Sequence, residues 1–440
     1  MKPQFLISSI GPGNGKTIFA MGLIHALRKR GMKVQPYKCG PEITDTQLLT
    51  LSADNEAVNL DEWITTYTHI QHTYNKYGEK ADACIIEGNG ALFDGYKRMQ
   101  GSSAEIAKLL NVPVVLLVNA RMAGYSIASI IYGFKHFHPQ VKIVGVVFNQ
   151  ITSSAHYSYL KEACFDAGVD CLGYLPYNAE FKLPSKHSSI TLTTKRTMDT
   201  QINLIADDIE KNVNINRLLM NCNRNFPCQY TLPYSSDIEA ETVIPTSQQI
   251  KIAIARDPAF NFIYKENIAR LSIYGKISYF SPVYGSDLPE ADLIYLPGGY
   301  PELFARQLHR RHKLKNALKE YAEKGGKILA ECGGMAFLGR SITAKEGGTS
   351  YEMCNILPLD FTINSKLNSG YRKMTYNGVE LRGYEFHYSV TNNAENSLIA
   401  TQATNIKGTN VDLPLYRYKN IIASYGHWYW GDKDILDLWK

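Results

Sequence analysis

KILAECGGMAFL, residues 327–338, is the stretch from which the rest of the chain is read. Ile328, Leu329 and Ala330 make a short apolar run suited to a buried strand. The run passes through Glu331 and Cys332, breaks on Gly333-Gly334 and resumes as an apolar helical segment. Two glycines allow a sharp bend that leaves the thiol at a sheet edge, with the following N–H groups facing whatever the sulfur attacks. Taken alone, the stretch reads first as a buried structural cysteine. Two others change that reading. YLPGGYPE at 295–302 is another strand ending on paired glycines, and ASYGH at 423–427 carries a histidine at the end of an apolar run. A nucleophile, a second glycine turn able to supply oxyanion donors, and a base point to acyl transfer through a thioester.

Length and composition set bounds on the rest. The 440 residues suffice for two domains, each with its own core. Apolar runs such as 113–118 and 144–148 are far too short to cross a bilayer, and the first residues begin a strand rather than a signal peptide, so a cytoplasmic protein with no membrane partner is expected. Eight cysteines are scattered without a CxxC pair, which argues against a zinc site or a disulfide framework. Cys222 and Cys228 are close enough in sequence to pair, but free thiols are expected. The net charge of +6 comes without a dense basic stripe, so nucleic acid is not expected as a partner; HRRHK at 309–313 reads as a solvated helix face.

The N-terminal half opens on a strand at 5–8, the turn IGPGNGKT at 10–17 and a helical pattern over 18–30 closed by Gly31. This is a P-loop: N–H groups around Gly11, Gly13, Asn14 and Gly15 cradle phosphates, Lys16 reaches them, and Thr17 is placed to hold magnesium. Ile10 stands where the pattern has glycine, and Pro12 removes one N–H from the cradle. A strand at 34–37 leads to Glu42 and Asp45, and a third at 83–86 leads to Glu87 and Asp94. Residues just past the carboxyl ends of parallel strands line the ligand crevice, so these four acids are expected to converge near the phosphates. Strands at 114–118 and 143–148 with a helix at 126–137 continue a βαβ alternation, which predicts a mostly parallel sheet with helices on both faces. A fifth unit runs from 173 to 189, with His187 read as structural. An amphipathic helix over 198–214 is expected to pack on this domain, and 221–249, rich in Asn, Pro, Ser and Thr, reads as a linker. New strands at 251–255, 277–280, 293–296 and 328–330 begin a second βα series.

Eight stretches carry a resemblance: VQPYKCGPEITD (34–45), IIEGNGALFDGY (85–96), GSSAEIAKLLNVPVVLLVNAR (101–121), IARDPAFNFIY (254–264), LPGGYPELFA (296–305), AECGGMAFLGRS (330–341), GYEFHYS (383–389) and ASYGH (423–427). In these and in their order the chain resembles the cobyrinic acid a,c-diamide synthase family, ATP-dependent enzymes that amidate with ammonia taken from glutamine. The resemblance implies a two-domain α/β protein: a P-loop parallel-sheet synthetase domain over 1–220, a linker over 221–249, and a class I glutamine amidotransferase-like domain over 250–440. Cys332 matches the glutaminase nucleophile and His427 its base, with Gly299 and Gly333 as oxyanion-hole donors. Gly11, Gly13, Asn14, Gly15, Lys16 and Thr17 match the ATP site. Thr17, Glu42, Asp45, Glu87 and Asp94 match positions around magnesium and the activated substrate. The implied substrates are a corrinoid tetrapyrrole, ATP and glutamine. The chain departs from the family pattern at Ser9, Ile10, Asn14, Glu42, Tyr384 and Tyr429; like the family in general, it lacks the carboxylate that many class I glutaminases carry two residues after the histidine, so a partner that orients His427 is expected elsewhere. The same chemistry on nickel-sirohydrochlorin or hydrogenobyrinic acid, or a homologue that binds without turnover, are the competing readings.

Overall fold

The computed structural model describes residues 1–121, 123–181, 192–229, 249–285, 287–345, 347–392 and 396–440. These fall into two compact units, one running to residue 229 and one from residue 249 onward. His187, and residues 230–248 of the expected linker, lie outside the described residues.

The first unit runs β1 (Lys2–Ser9), α1 (Lys16–Lys29), β2 (Val34–Cys39), α2 (Ile43–Ala53), β3 (Val58–Leu60), α3 (Tyr67–Gly78), β4 (Ala83–Glu87), α4 (Ser103–Leu110), β5 (Val114–Asn119), α5 (Ile127–Phe137), β6 (Ile143–Ile151), α6 (Ser154–Asp166), β7 (Cys171–Pro176), α7 (Leu192–Asn212), α8 (Ile215–Asn221) and β8 (Asn223–Arg224). Strands β3-β2-β4-β1-β5-β6-β7 form one parallel sheet, with β8 antiparallel to β1. Strand β1 lies between β4 and β5, so its apolar residues are covered on both faces and Phe5, Leu6 and Ile7 are wholly buried. Helix starts follow the side chains available: the hydroxyls of Thr66, Ser102 and Ser153 accept from the N–H groups of His69, Glu105 and His156.

The structure differs from the sequence expectation in several places. Strand β3 is an addition, so the strand expected third is the fourth. Helix α1 starts at Lys16, inside the P-loop motif, and α7 ends at Asn212 instead of 214. Gly22 on α1 lets α7 pack close, since a Cβ there would lie 2.3 Å from Ile205 Cγ2. Residues 221–229, expected as linker, pack as part of this unit. The Gln4 N–H donates to the Cys222 carbonyl at 2.9 Å, and Asn75 exchanges two hydrogen bonds with the backbone of Cys228. Cys222 and Cys228 are both free thiols.

The second unit runs β9 (Ile250–Ala255), α9 (Lys265–Tyr274), β10 (Gly275–Phe280), β11 (Leu293–Leu296), α10 (Ala305–His309), α11 (His312–Glu323), β12 (Lys327–Glu331), α12 (Gly333–Leu338), β13 (Ser341–Thr343), β14 (Ser350–Glu352), β15 (Asp360–Tyr376), β16 (Val379–Asn392), β17 (Ile399–Asn405), β18 (Asn410–Tyr418), β19 (Ile421–Ser424) and β20 (Gly426–Tyr429). The order β10-β9-β11-β12-β19 is parallel, and β18 to β15 continue it antiparallel. The sheet is therefore mixed, where the sequence showed only the βα series. The β15–β16 hairpin turns on Asn377 and Gly378, both at positive φ (47° and 78°), as a two-residue turn between right-twisted strands requires. HRRHK does not sit on one helix face: it spans the break between α10 and α11. Among the described residues, no helix is long and apolar enough to cross a membrane.

Candidate active site

In the second unit, β12 delivers Cys332 to the point where the chain turns into α12. Its backbone sits at φ 43°, ψ −104°, a sparsely populated region for any residue with a Cβ, as expected of a nucleophile turned out on a sharp strand-to-helix bend. The strain is held from both sides. The Cys332 N–H donates to the Ser424 carbonyl at 2.7 Å, and Gly334 packs against β11 so closely that a Cβ would lie 2.1 Å from the Leu296 carbonyl oxygen.

Gly299 and Gly333 are neighbours: a Cβ on Gly333 would lie 2.9 Å from the Gly299 oxygen and 3.1 Å from its nitrogen. Gly298 lies against both Cys332 and His427. A Cβ there would sit 2.1 Å from Cε1 and 2.6 Å from Nδ1 of His427, and 3.4 Å from Cβ of Cys332. His427 packs on Phe262 with ring centroids 5.4 Å apart. It is 2% exposed, and neither ring nitrogen has a hydrogen-bond partner among the described residues. Burial brings its pKa down to about 4; the Phe386 carbonyl opposes the shift without meeting hydrogen-bond geometry to the ring. Burial also pushes the Cys332 thiol well up, with Glu302 adding to the rise. Burial thus favours the uncharged form of both groups, and Cys332 Sγ meets the Phe386 carbonyl at 3.9 Å rather than the imidazole.

Among the described residues no side chain hydrogen-bonds a ring nitrogen of His427; its backbone is held instead. Glu331 accepts from the Trp428 N–H at 3.0 Å and from the Tyr295 hydroxyl at 2.8 Å, and burial raises its pKa to about 8. Tyr384 pairs directly with His427 in the β16–β20 ladder, and Tyr429 packs on Tyr264. A second histidine, to which the sequence reading assigned no role, lines the same cavity as Cys332. His387 lies 2.8 Å from Glu385 through Nε2 and 2.7 Å from the Ser389 carbonyl through Nδ1, and stacks on Tyr425 with centroids 3.7 Å apart. Glu385 is also paired with Arg372. Against the cost of burial, His387 and Arg372 hold its carboxyl below the usual range.

In the first unit, the P-loop is pinned by its own asparagine. Asn14 accepts from the Asn119 N–H through Oδ1 at 3.1 Å, its carbonyl accepts from Asn149 Nδ2 at 2.8 Å, and its Nδ2 donates to the Gly11 carbonyl. Gly13 and Gly15 take positive φ (72° and 90°), and a Cβ on Gly15 would lie 2.3 Å from Asn149, which explains glycine there. Lys16 donates to Ser9 Oγ at 3.0 Å and to the Gly90 carbonyl at 2.6 Å, so Ser9, a departure from the family pattern, has a definite partner. Burial, followed by the Lys38 ammonium, lowers the Lys16 pKa.

Glu87 gathers the rest. Its Oε1 accepts from Thr17 Oγ1 at 2.6 Å and lies 3.2 Å from Lys38 Nζ, which also pairs with Asp45 at 2.7 Å. Lys38 is 2% exposed and was not singled out from sequence, although a charged residue inside an otherwise buried strand was the available signal. Burial alone would lower its pKa, but Asp45, Glu87 and Glu42 outweigh it and hold the ammonium above its ordinary value. Burial raises Glu87, against the pull of Lys38. Asp45 and Glu87 thus come together as expected, and Glu42 acts on the same cations. Asp94 does not join them: it is exposed, and among the described residues no hydrogen bond or ion pair ties its carboxylate to the cluster.

Comparison with known proteins places both halves. The model for the CobQ/CobB/MinD/ParA nucleotide binding domain matches residues 5–190, and that for the CobB/CobQ-like glutamine amidotransferase domain matches residues 251–435. A Dehalococcoides mccartyi protein named cobyrinate a,c-diamide synthase is 35% identical over 98% of this chain and 95% of its own length. Proteins of the same name from Sulfurisphaera tokodaii and Priestia megaterium are 33% and 32% identical, each over 97% of this chain and over 97% and 94% of their own lengths. The chain belongs to the cobyrinate a,c-diamide synthase family.

For a member of this family the first unit raises the question of magnesium. Among the described residues, no group of three or more His, Cys, Asp or Glu is arranged as a metal cage. Magnesium beside a nucleotide needs no such cage, since it keeps several waters and takes one or two carboxylates with the phosphates. The oxygens of Thr17, Glu87 and Asp45 are of the right chemistry, and Glu87 Oε2 is buried without a hydrogen-bond partner, as a ligand oxygen awaiting a cation would be.

Proposed function

We propose that this chain amidates the a- and c-carboxylates of cobyrinic acid in cobalamin biosynthesis, with ATP and glutamine as co-substrates and in the cytoplasm. Membership of an amide-forming ligase family supports the reaction. The observation that carries the glutaminase half is the strained Cys332 turn, with Gly298 against both Cys332 and His427 and with Gly333 against Gly299. Cys332 Sγ attacks the side-chain amide carbon of glutamine while its proton passes to His427. The N–H groups of Gly299 and Gly333 receive the developing oxyanion. His427 returns the proton to the leaving nitrogen, ammonia departs, and water hydrolyses the thioester to glutamate.

In the first unit, the N–H groups of the loop through Gly11, Gly13, Asn14 and Gly15, together with Lys16, hold the nucleotide phosphates. Thr17, Glu87 and Asp45 are the residues that would hold magnesium, with Glu42 beside the same cations. Magnesium bound there would neutralise charge on the phosphates. The corrin carboxylate takes the γ-phosphoryl group to become an acyl phosphate, and ammonia then displaces phosphate to leave the amide. A bare carboxylate resists ammonia, which is why ATP is needed. The test is ATP hydrolysis with glutamine against cobyrinic acid, hydrogenobyrinic acid and nickel-sirohydrochlorin. Cobyrinic acid should give the fastest turnover and a doubly amidated product; a faster reaction with another ring, or none with any, overturns the assignment.

A further inference from the structure

Helix α5 carries more apolar surface than the first unit buries. Ile127 and Ile131 are buried in the core and Phe134 is half-buried against it, whereas Ile130 and Phe137, at helical spacing along the adjoining edge, are 43% and 65% exposed. Phe93, from the loop after β4, leans on the same edge, its ring centroid 5.5 Å from that of Phe134 and 4.8 Å from that of Phe137. Together they line an open pocket of about 390 Å³. Gly133 leaves its floor flat, since a Cβ there would meet nothing within 4 Å.

Two features say what this surface takes. The first is position. The loop bearing Phe93 is tied to the P-loop, because Lys16 donates to the Gly90 carbonyl at 2.6 Å and the Leu92 N–H donates to the Ser9 carbonyl at 2.9 Å. The pocket therefore begins beside the phosphate cradle. The second is charge. Lys97 and Arg98, further along the same loop, are exposed, and among the described residues neither forms an ion pair. A flat apolar face, with two exposed cations against one exposed carboxylate, Asp94, further along the loop that carries Phe93, complements a planar macrocycle fringed with carboxylates.

We propose that this surface is the seat of the tetrapyrrole: Phe93, Ile130, Phe134 and Phe137 cover the ring, while Lys97 and Arg98 pair with peripheral carboxylates. The proposal rests on the function given above. Self-association of two copies through α5 is the competing occupant, and it would leave the cations without a purpose.

Equilibrium dialysis of cobyrinic acid, without ATP or glutamine, tests the seat in the full-length protein. Ile130→Glu and Phe137→Glu alter exposed positions and should fold normally, as should the double variant Lys97→Glu/Arg98→Glu. Both kinds should weaken ring binding about tenfold or more. They should raise KM for cobyrinic acid while leaving KM for ATP unchanged. Wild-type affinity in the variants overturns the seat and leaves the proposed function standing. So does a wild-type dimer that the helix variants dissociate without loss of ring affinity. If the wild type itself neither binds nor amidates the ring, the proposed function fails and the seat with it.

Discussion

Gly298→Ala should disable the glutaminase with Cys332 and His427 themselves unsubstituted. The added methyl would stand 2.1 Å from Cε1 of His427, against an optimal carbon–carbon separation of about 3.5–4.0 Å, so the ring must give way by more than about 1 Å. It has little freedom to do so. It is buried and backed by Phe262, and its backbone is fixed by pairing with Tyr384 and by the Trp428–Glu331 hydrogen bond. Gly298 is not among the residues at positive φ, so alanine fits the backbone and the effect comes from the contact. A displacement of about 1 Å costs about 100-fold, and complete loss of a general base about 10²–10⁴-fold. A fall of kcat/KM for glutamine in that range corresponds to about 3–5 kcal/mol of transition-state stabilisation. Glutamate release measures it, with amidation from ammonium salts as the control that should be unchanged. Undiminished glutamine hydrolysis by the variant would refute this placement of the histidine.

Further outcomes follow from the buried charges. Lys38→Met leaves Asp45 and Glu87 without their shared cation and should cost about 3–5 kcal/mol in urea unfolding. Magnesium should restore more stability to this variant than to the wild type, and unchanged stability would show that Lys38 is dispensable. Protonation of His427 should also be visible in stability. Its folded value of about 4 lies below the ordinary 6.5, so its neutral form favours the native state above pH 6.5. That contribution, about 3 kcal/mol, is lost as pH falls from 6.5 towards 4. Glu331, raised to about 8, has the opposite sign, its contribution being lost as pH rises towards 8. The comparison is therefore between wild type and His427→Gln, and equal acid slopes for the two would contradict the account.

Much of this was legible in the sequence because the elements that carry chemistry are short, apolar and punctuated by glycine. The strand–turn–helix units at Lys16 and Cys332 have the same form, and both stand out from local pattern alone. What escaped depends on tertiary structure. Strand β3 is three residues long, too short for a period to show. Strand β15 has its alternation interrupted by exposed residues at 365–367, which conceals the antiparallel half of the second sheet; Asn377-Gly378 was the one local sign of its hairpin. Asp94 follows Glu87 closely in sequence, but the intervening loop turns back over Ser9 and leaves its carboxylate outside. Gly298 reads like any glycine of a pair until the histidine from β20 arrives against it. Lys38 makes sense only once two carboxylates from other elements close around it.

The central claim, that Cys332 generates ammonia for an amidation performed by the first unit, is tested most directly by Cys332→Ala assayed with cobyrinic acid and ATP. The account predicts no diamide from glutamine and near wild-type diamide formation from ammonium salts. Loss of both activities in a folded variant, or continued use of glutamine, would contradict it.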